Sequence, residues 1–358
     1  MKCVLAGVGQ AGGKLADALV QFDHQHGYDS IQDAIAINSA KTDLQSLAID
    51  TVLIGQSQVK GQGVGGDNER AAELMEADLA EVEEKIGNRI TSQAESIILT
   101  TGLGGGTGSG GTPVLARRLT EIYDIPVYVL AVLPSTEESN LAQVNAGRSL
   151  KTITNTADAT LIIDNDAWRS TGESLSDGYE TINQQIAKRI GLLLAAGEPT
   201  DGVAESVVDS SEVINTLQVG GIAAIGYNEV PAGEATEDNI NTITAATRSA
   251  FFSGLSLTGE VTAESALLVM TGKPDRISRK GVEKSRRWLE DETGSMQVRG
   301  GDFPRESDQI GALVLLGGIQ NSERIEGFFE RANEAASAPT ETEAETDKLF
   351  QNDELDGL

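Results

Sequence analysis

Short apolar runs recur through the first half of the chain, at Lys2–Ala6, Ala34–Asn38, Thr51–Ile54, Ser96–Thr101, Pro126–Leu133 and Ala159–Asp164. They are rich in Val, Ile and Leu with little polar alternation, the pattern of strands buried on both faces. Amphipathic stretches near 12–22, 67–86, 109–123 and 139–156 lie between them. Strand–helix alternation of this kind predicts an α/β fold with a doubly wound parallel sheet and right-handed crossovers. Residues 178–196 predict one long central helix, with Tyr179, Ile182, Ile186, Ile190, Leu193 and Leu194 at spacings of three and four. Beyond it, strands near Ile222–Tyr227, Ser265–Thr271 and Gln309–Leu316 alternate with helices near 238–252, 278–290 and 322–335. These predict a second, smaller α/β domain. The expected division is 1–177, a central helix 178–200, 201–333 and an acidic tail 334–358 whose polar composition predicts disorder.

Composition changes this picture in one respect. The chain has 55 acidic and 27 basic residues, a net charge of −28, and only 11 of the bases are Lys. The excess acid lies throughout the folded part. Self-repulsion on such a surface is screened within ~3 Å at 1 M salt, so the composition reads as adaptation to a salt-filled cytoplasm. It argues against nucleic acid as a partner, which needs basic patches. No run of 18 apolar residues is present, so no transmembrane helix is expected. The N-terminal apolar run is too short for a signal-peptide core, and a cytoplasmic location is expected. Cys3, the single cysteine, reads as a small buried residue of the first strand. His24 and His26, the only histidines, share one predicted loop, which excludes a histidine-rich zinc site or a Ser-His-Asp triad.

Three glycine-rich loops supply the candidate chemistry: Gly7–Gly13, Gly61–Asn68 and Gly102–Gly111, the last with seven glycines in ten residues. A fourth loop, Leu133–Glu138, ends a strand. Glycines let backbone N–H groups turn inward, and helix N-termini add positive potential, so a polyphosphate is the natural guest. Gly7, Gly9 and Gly12 also fit a dinucleotide fingerprint, but the ribose-binding acid it requires is replaced by Asn38, followed by Ser39. The P-loop pattern is absent.

The segment Gly104-Gly105-Gly106-Thr107-Gly108-Ser109-Gly110 resembles the signature of the tubulin/FtsZ superfamily, and Gly9-Gln10-Ala11-Gly12 resembles the first tubulin loop. The resemblance runs to about residue 332, in correct loop order. It implies a GTPase that polymerises head-to-tail with copies of itself, with GTP or GDP bound. Gly9, Gln10, Ala11, Gly12, Gly66, Asp67, Asn68, Gly104, Gly105, Gly106, Thr107, Gly108 and Ser109 would surround the phosphates. Glu138 would approach the ribose. Asn165 and Asn183 would read the guanine edge, an amide being both donor and acceptor, and Tyr179, one turn before Asn183, would stack on the base. No Lys or Arg lies in these loops, so binding would rest on backbone donors, helix dipoles and a divalent cation, with Mg²⁺ expected.

The segment Val207-Val208-Asp209-Ser210-Ser211-Glu212-Val213 carries two acids three apart. Read locally, Asp209 is a helix N-cap and Glu212 its capping-box partner. The resemblance implies a catalytic loop, with Asp209 and Glu212 completing the nucleotide site of the next subunit. Val207 replaces the family's Asn, Ser210-Ser211 replace the Phe-Ala of FtsZ, and an FtsZ arginine falls near Ala142. Together with the acidic composition this looks like the CetZ branch, which implies a part in cell shape or motility. A GTP-binding scaffold that hardly hydrolyses, and a Rossmann oxidoreductase resting on the first loop, are the alternatives. The tail's Leu349-Phe350 and Leu358 are candidates for docking a partner.

Overall fold

The computed structural model describes residues 1–167, 175–197 and 208–337, with the side chains of 175–179 outside the description. The Tyr179 side chain, Val207 and all of 338–358 therefore lie outside the described residues.

In chain order the elements are β1 (Cys3–Val8), α1 (Gly9–His26), β2 (Ile31–Asn38), α2 (Lys41–Leu44), β3 (Asp50–Leu53), α3 (Gln56–Val59), α4 (Asn68–Ala77) and α5 (Leu79–Gly87). There follow β4 (Ser96–Gly102), α6 (Gly106–Ile122), β5 (Val127–Leu133), α7 (Asn140–Thr156), β6 (Ala159–Asp164), α8 (Leu175–Ala196) and α9 (Ser210–Leu217). The remainder is β7 (Ile222–Pro231), α10 (Asn239–Phe252), β8 (Val261–Gly272), α11 (Arg279–Thr293), β9 (Gln297–Pro304), β10 (Gln309–Ser322) and α12 (Glu323–Ser337).

All the strands join one sheet in the order β3-β2-β1-β4-β5-β6-β7-β10-β8-β9. The first six strands are mutually parallel, as their continuous burial predicts. The second half joins through a short parallel register, Thr160↔Ile222 and Leu161↔Ala223. Its own strands are mixed: β10 is antiparallel to β7 and to β8, while β8 and β9 are parallel. The expected doubly wound parallel sheet thus holds for the first half, and the second half, expected as a smaller α/β domain, adds mixed strands to the same sheet.

Helices cover both faces. On one face α4–α7 and α10–α12 share a core with the strands, including Leu74, Leu115, Leu150, Ile243, Leu289 and Phe328. On the other, α1, α8 and α9 pack through Leu15, Leu19, Ile186, Ile190, Leu193 and Val213. Helix α8 touches strands of both halves, which explains its burial on several sides.

The segment 67–86, expected as one helix, is two. The break is at Asp78 (φ −102°, ψ 11°), whose Oδ2 accepts the Gly55 N–H at 2.5 Å. That bond supports the turn before α3 and takes the carboxylate out of a helical path. Helix α12 runs to Ser337, so the tail begins about a turn later than position 334. Strand β9 has no counterpart in the sequence reading.

Candidate nucleotide site

Parallel register aligns the strand ends. Val8 pairs with Ile37 and Thr101, Gly102 with Val132, and Leu133 with Asp164. The loops after β1, β2, β4, β5 and β6 therefore leave the sheet along one carboxyl edge, where ligands of open α/β sheets bind.

The glycine loops meet at that edge. A Cβ on Gly9 (φ +76°) would lie 2.7 Å from the Gly108 nitrogen, and one on Gly108 would lie 2.6 Å from the Gly102 carbonyl. Both glycines are thus required for the N-termini of α1 and α6 to sit against each other. A Cβ on Gly106 would meet Val64, Gly66 and Asp67 within 3.1 Å, so the second loop closes over the start of α6. Gly105 differs: it is exposed, and nothing stands within 4 Å of where a side chain on it would begin. The first turns of two long helices, with their unpaired N–H groups and positive dipole ends, face the same space.

Side chains fix the loops to one another. The Thr107 hydroxyl is 2.8 Å from the Ser39 hydroxyl, both buried. Asn145, buried on α7, donates from Nδ2 to the Gly66 carbonyl at 2.7 Å and to the Gly104 carbonyl at 3.4 Å, clamping the second loop to the third. Ser109 donates back to the carbonyls of Gly105 and Gly106 within the first turn of α6. Asp67 caps α4, its Oδ1 accepting from the Arg70 N–H at 2.9 Å, while Asn68 opens that helix. Asn38, at the place where a dinucleotide fold would carry an acid, donates instead to Asp43 Oδ2 at 3.1 Å, and Gln10 reaches Asp43 Oδ1 at 3.4 Å. Ala11 and Gln10 are exposed at the head of α1, with Gly12 buried beneath them.

At the far end of the edge, Glu138 turns back on its own loop, Oε1 accepting from the Ser135 N–H at 2.9 Å. Its Oε2 is 3.4 Å from where a Gly104 side chain would begin, so this acid borders the third loop. Asn165 is buried in the short turn that ends β6. Asn183 is half-buried on α8. The Met1 amino group binds the Leu194 carbonyl at 2.5 Å, which sets the end of α8 at the opposite, amino edge. At 1.5 Å per residue, Asn183 stands roughly 16 Å back up the helix, toward the loops.

Asp209 and Glu212 are not part of this cluster. Asp209 is the N-cap of α9, accepting from the Glu212 N–H at 3.1 Å. A hydrogen bond from the Ser211 hydroxyl, with help from backbone N–H groups, holds its carboxyl below the usual range. The Glu212 carboxylate faces Arg299 of β9 at 3.6 Å. Ser210, beside them, binds Glu95, which also accepts from the Lys2 N–H. These contacts tie the start of α9 to the amino edge of β1 and β4. Crossing the sheet along a six-residue strand takes roughly 20 Å, so Glu212 cannot reach the glycine loops of its own chain.

The glycine loops carry neither Lys nor Arg. The nearest arginines are exposed and matched by acids, Arg70 with Glu73 at 2.7 Å and Arg148 with Glu69 at 3.1 Å. Ala142, near which the resemblance to FtsZ would put an arginine, is buried beside Gly104. Among the described residues no group of three or more His, Cys, Asp or Glu could cage a metal, and no helix is long and apolar enough to cross a membrane. Ser39, Asp43 and Asn145 were missed in the sequence. Only Asn145 left a signal, a polar residue on the buried stripe of an amphipathic helix.

Residues 2–173 match the GTPase domain of the tubulin/FtsZ family. The fold and the loops therefore define a GTPase of the tubulin-like class, which sets aside the oxidoreductase alternative. Residues 172–334 match the C-terminal domain of tubulin-like CetZ. The chain is 59% identical to tubulin-like protein CetZ2 of Haloferax volcanii, over 100% of both chains, and belongs to the CetZ family. A solved protofilament of that CetZ2 with GTPγS bound superposes with a TM-score of 0.91, covering 94% of this chain and 99% of that one. A GDP-bound monomer of CetZ1 from the same organism is 44% identical with a TM-score of 0.86, covering 94% of this chain and 100% of that one. An FtsZ dimer from M. jannaschii, 20% identical with a TM-score of 0.71 over 88% of this chain and 87% of that one, shares the fold. The acid excess, read as adaptation to high salt, fits the Haloferax relatives.

Proposed function

We propose that this chain binds GTP in the carboxyl-edge loops, assembles head-to-tail into protofilaments, and hydrolyses GTP where one subunit's α9 meets the next subunit's glycine loops. The observation that carries the reading is the separation of the two halves of the chemistry. The glycine loops lie on one edge of the sheet and Asp209 and Glu212 lie on the other. Stacking copies along that axis would bring one edge against the other, and a 59% identical relative is seen as a GTPγS-bound protofilament.

In such a junction the backbone N–H groups at the heads of α1 and α6 hold the phosphates, with Thr107 and Ser109 hydroxyls beside them. The exposed Asp67 carboxylate and the Thr107 hydroxyl are the side chains that would hold a Mg²⁺ ion beside the phosphates. The ion would supply charge neutralisation that the loops lack. Glu138 would bind the ribose, with Asn165 and Asn183 reading guanine and Tyr179 stacking on it. Glu212 of the neighbouring subunit would orient the attacking water and accept its proton, the task of such a group in phosphoryl transfer. Asp209 would hold Glu212 in place by capping its helix. A cytoplasmic cytoskeletal role in cell shape or motility follows from the family resemblance, and the tail's Leu349-Phe350 pair would dock partners.

Mixing tests the shared site. Glu212→Ala keeps an intact phosphate cradle, and a Thr107 variant keeps an intact Glu212. Each alone should be inactive, and co-assembled mixtures should recover phosphate release. Co-assembly without recovery would refute the shared site.

A further inference from the structure

Arg324 sits in the first turn of α12, where a cation opposes the helix dipole and the acids Glu323 and Glu326 suit it. Something other than helix stability keeps it there. Its Nε donates to Asp164 Oδ2 at 2.5 Å, and its Nη2 donates to Asp164 Oδ1 at 2.7 Å and to Asp166 Oδ2 at 3.1 Å. Asp164 is the last residue of β6 and is wholly buried, while the Arg324 side chain is 15% exposed. A buried carboxylate of this kind is tolerable only while its partner stays.

The pair reaches further than itself. Asp164 Oδ1 also accepts from the Asp166 N–H at 3.1 Å, closing the turn that carries Asn165. Asp166 Oδ2 also accepts from the Thr136 N–H at 2.9 Å, in the loop that carries Glu138. Burial alone would raise the Asp166 carboxyl; hydrogen bonds from Thr136 and Ser135 and the Arg324 charge outweigh it and hold Asp166 ionised below the usual range. One guanidinium, delivered by the second half of the chain, thus ties down both loops at one end of the carboxyl edge.

We propose that Arg324 is a positioning residue for the guanine and ribose end of the nucleotide site, so that base recognition depends on where the second half of the chain holds α12. This rests on the assignment of Asn165, Asn183 and Glu138 to base and ribose. Arg324 touches no nucleotide. It sets the turn before Asn165 and, through Asp166, the height of the Thr136–Glu138 loop. The planar fork of Arg reaches both acids at once, which a lysine cannot do.

The test measures GDP and IDP binding to the full-length protein at high salt, below the concentration at which it assembles. IDP lacks the guanine 2-amino group, so the GDP-to-IDP affinity ratio reads base recognition, and uniform loosening of the protein does not move it. Arg324→Gln should weaken GDP by about tenfold or more and lower the ratio, the scale of a lost hydrogen-bonded discrimination. Arg324→Lys should recover part of the affinity but little of the ratio. Asp166→Asn leaves the buried Arg324–Asp164 pair intact, so it folds even where Arg324→Gln does not, and should lower the ratio by a smaller factor. An unchanged ratio in folded Arg324→Lys and Asp166→Asn, with Asn183→Asp still reducing GDP binding, would overturn the positioning role alone. A silent Asn183→Asp would overturn the base assignment and the proposal with it.

Discussion

The two edges of the sheet are built from opposite materials. The carboxyl edge meets its ligand space with glycine, backbone amide and neutral hydroxyl; its acids Asp43, Asp67 and Glu138 accept hydrogen bonds within the loops, and its nearby arginines are exposed and matched by acids. The amino edge at α9 is carboxylate: Glu95, Asp209 and Glu212, with Arg299 of β9 alongside. In a chain of net charge −28, a site for a polyanion cannot draw on the protein's overall field. In the proposed site the attraction would come instead from dipoles fixed by the fold, acting at contact distance. Asp209 and Glu212 stand a strand's length away from the glycine loops, and in the proposed assembly a second molecule supplies them. Under the proposed function, this difference assigns binding to one molecule and turnover to an assembly.

The largest expected effect separates those two properties. Glu212→Ala should cut assembly-dependent phosphate release by ~10²-fold or more, the scale for losing a base or water-positioning group. GTP binding to the monomer should not change. Equal loss of binding and turnover would erase the contrast between the edges.

Next comes a contrast within one loop. Gly108 and Gly105 belong to the same signature, yet a Cβ on Gly108 would strike the Gly102 carbonyl at 2.6 Å whereas one on Gly105 meets nothing within 4 Å. Gly105 also has φ −81° and ψ 169°, which alanine adopts freely. Gly105→Ala should therefore keep its melting temperature but lose about tenfold in GTP affinity, since the methyl group enters the space where backbone meets ligand. Gly108→Ala should lose stability first. A Gly105→Ala protein with native affinity, measured by nucleotide titration, would show that the phosphates lie elsewhere.

The carboxyl edge was far more legible in the sequence than what braces it. Strands buried on both faces announce themselves as apolar runs, and glycine loops as composition. Strand β9, Gln-Val-Arg-Gly-Gly-Asp-Phe-Pro, lies at the sheet's end and is largely half-buried, so it has neither an apolar run nor a clean alternation. The break between α4 and α5 depends on Asp78 finding Gly55, 23 residues away. Arg324 and Asp164 are 160 residues apart. Such pairings are tertiary, and no local spacing encodes them. Glu212 illustrates the middle ground: the capping motif was readable, and Asp209 does cap α9. Its acid nevertheless faces Arg299, which only the folded sheet brings near.

A smaller effect probes the amino edge by itself. Asp209→Ala should cost about 1 kcal/mol, the usual worth of an N-cap. The sign with pH follows from its depressed carboxyl. That contribution is fully present above the unfolded value of about 3.9 and is lost as pH falls through the lower folded value. Urea melts of wild type and variant should therefore differ at neutral pH and converge in strong acid. A difference that grows with acidity would mean that Asp209 is not stabilised as a carboxylate.

The smallest effect concerns the acidic tail, and salt decides it. Residues 338–358 carry seven acids and one lysine. Their few apolar side chains give little area to bury, so deleting them should leave the melting temperature nearly unchanged. Their charge still adds to the field that a nucleotide with about four negative charges must enter. At 0.01 M salt, where screening extends over ~30 Å, the deletion should strengthen GTP binding slightly. At 1 M, where it extends over ~3 Å, the truncated and full-length proteins should bind alike. This sharpens the contrast between the edges, because a site made of fixed dipoles keeps its affinity at high salt while the penalty from net charge vanishes. GTP titrations of both proteins at the two salt concentrations check it. An affinity that falls steeply with salt in both would point to cationic side chains holding the phosphates, and a marked drop in melting temperature on deletion would mean that the tail packs on the fold.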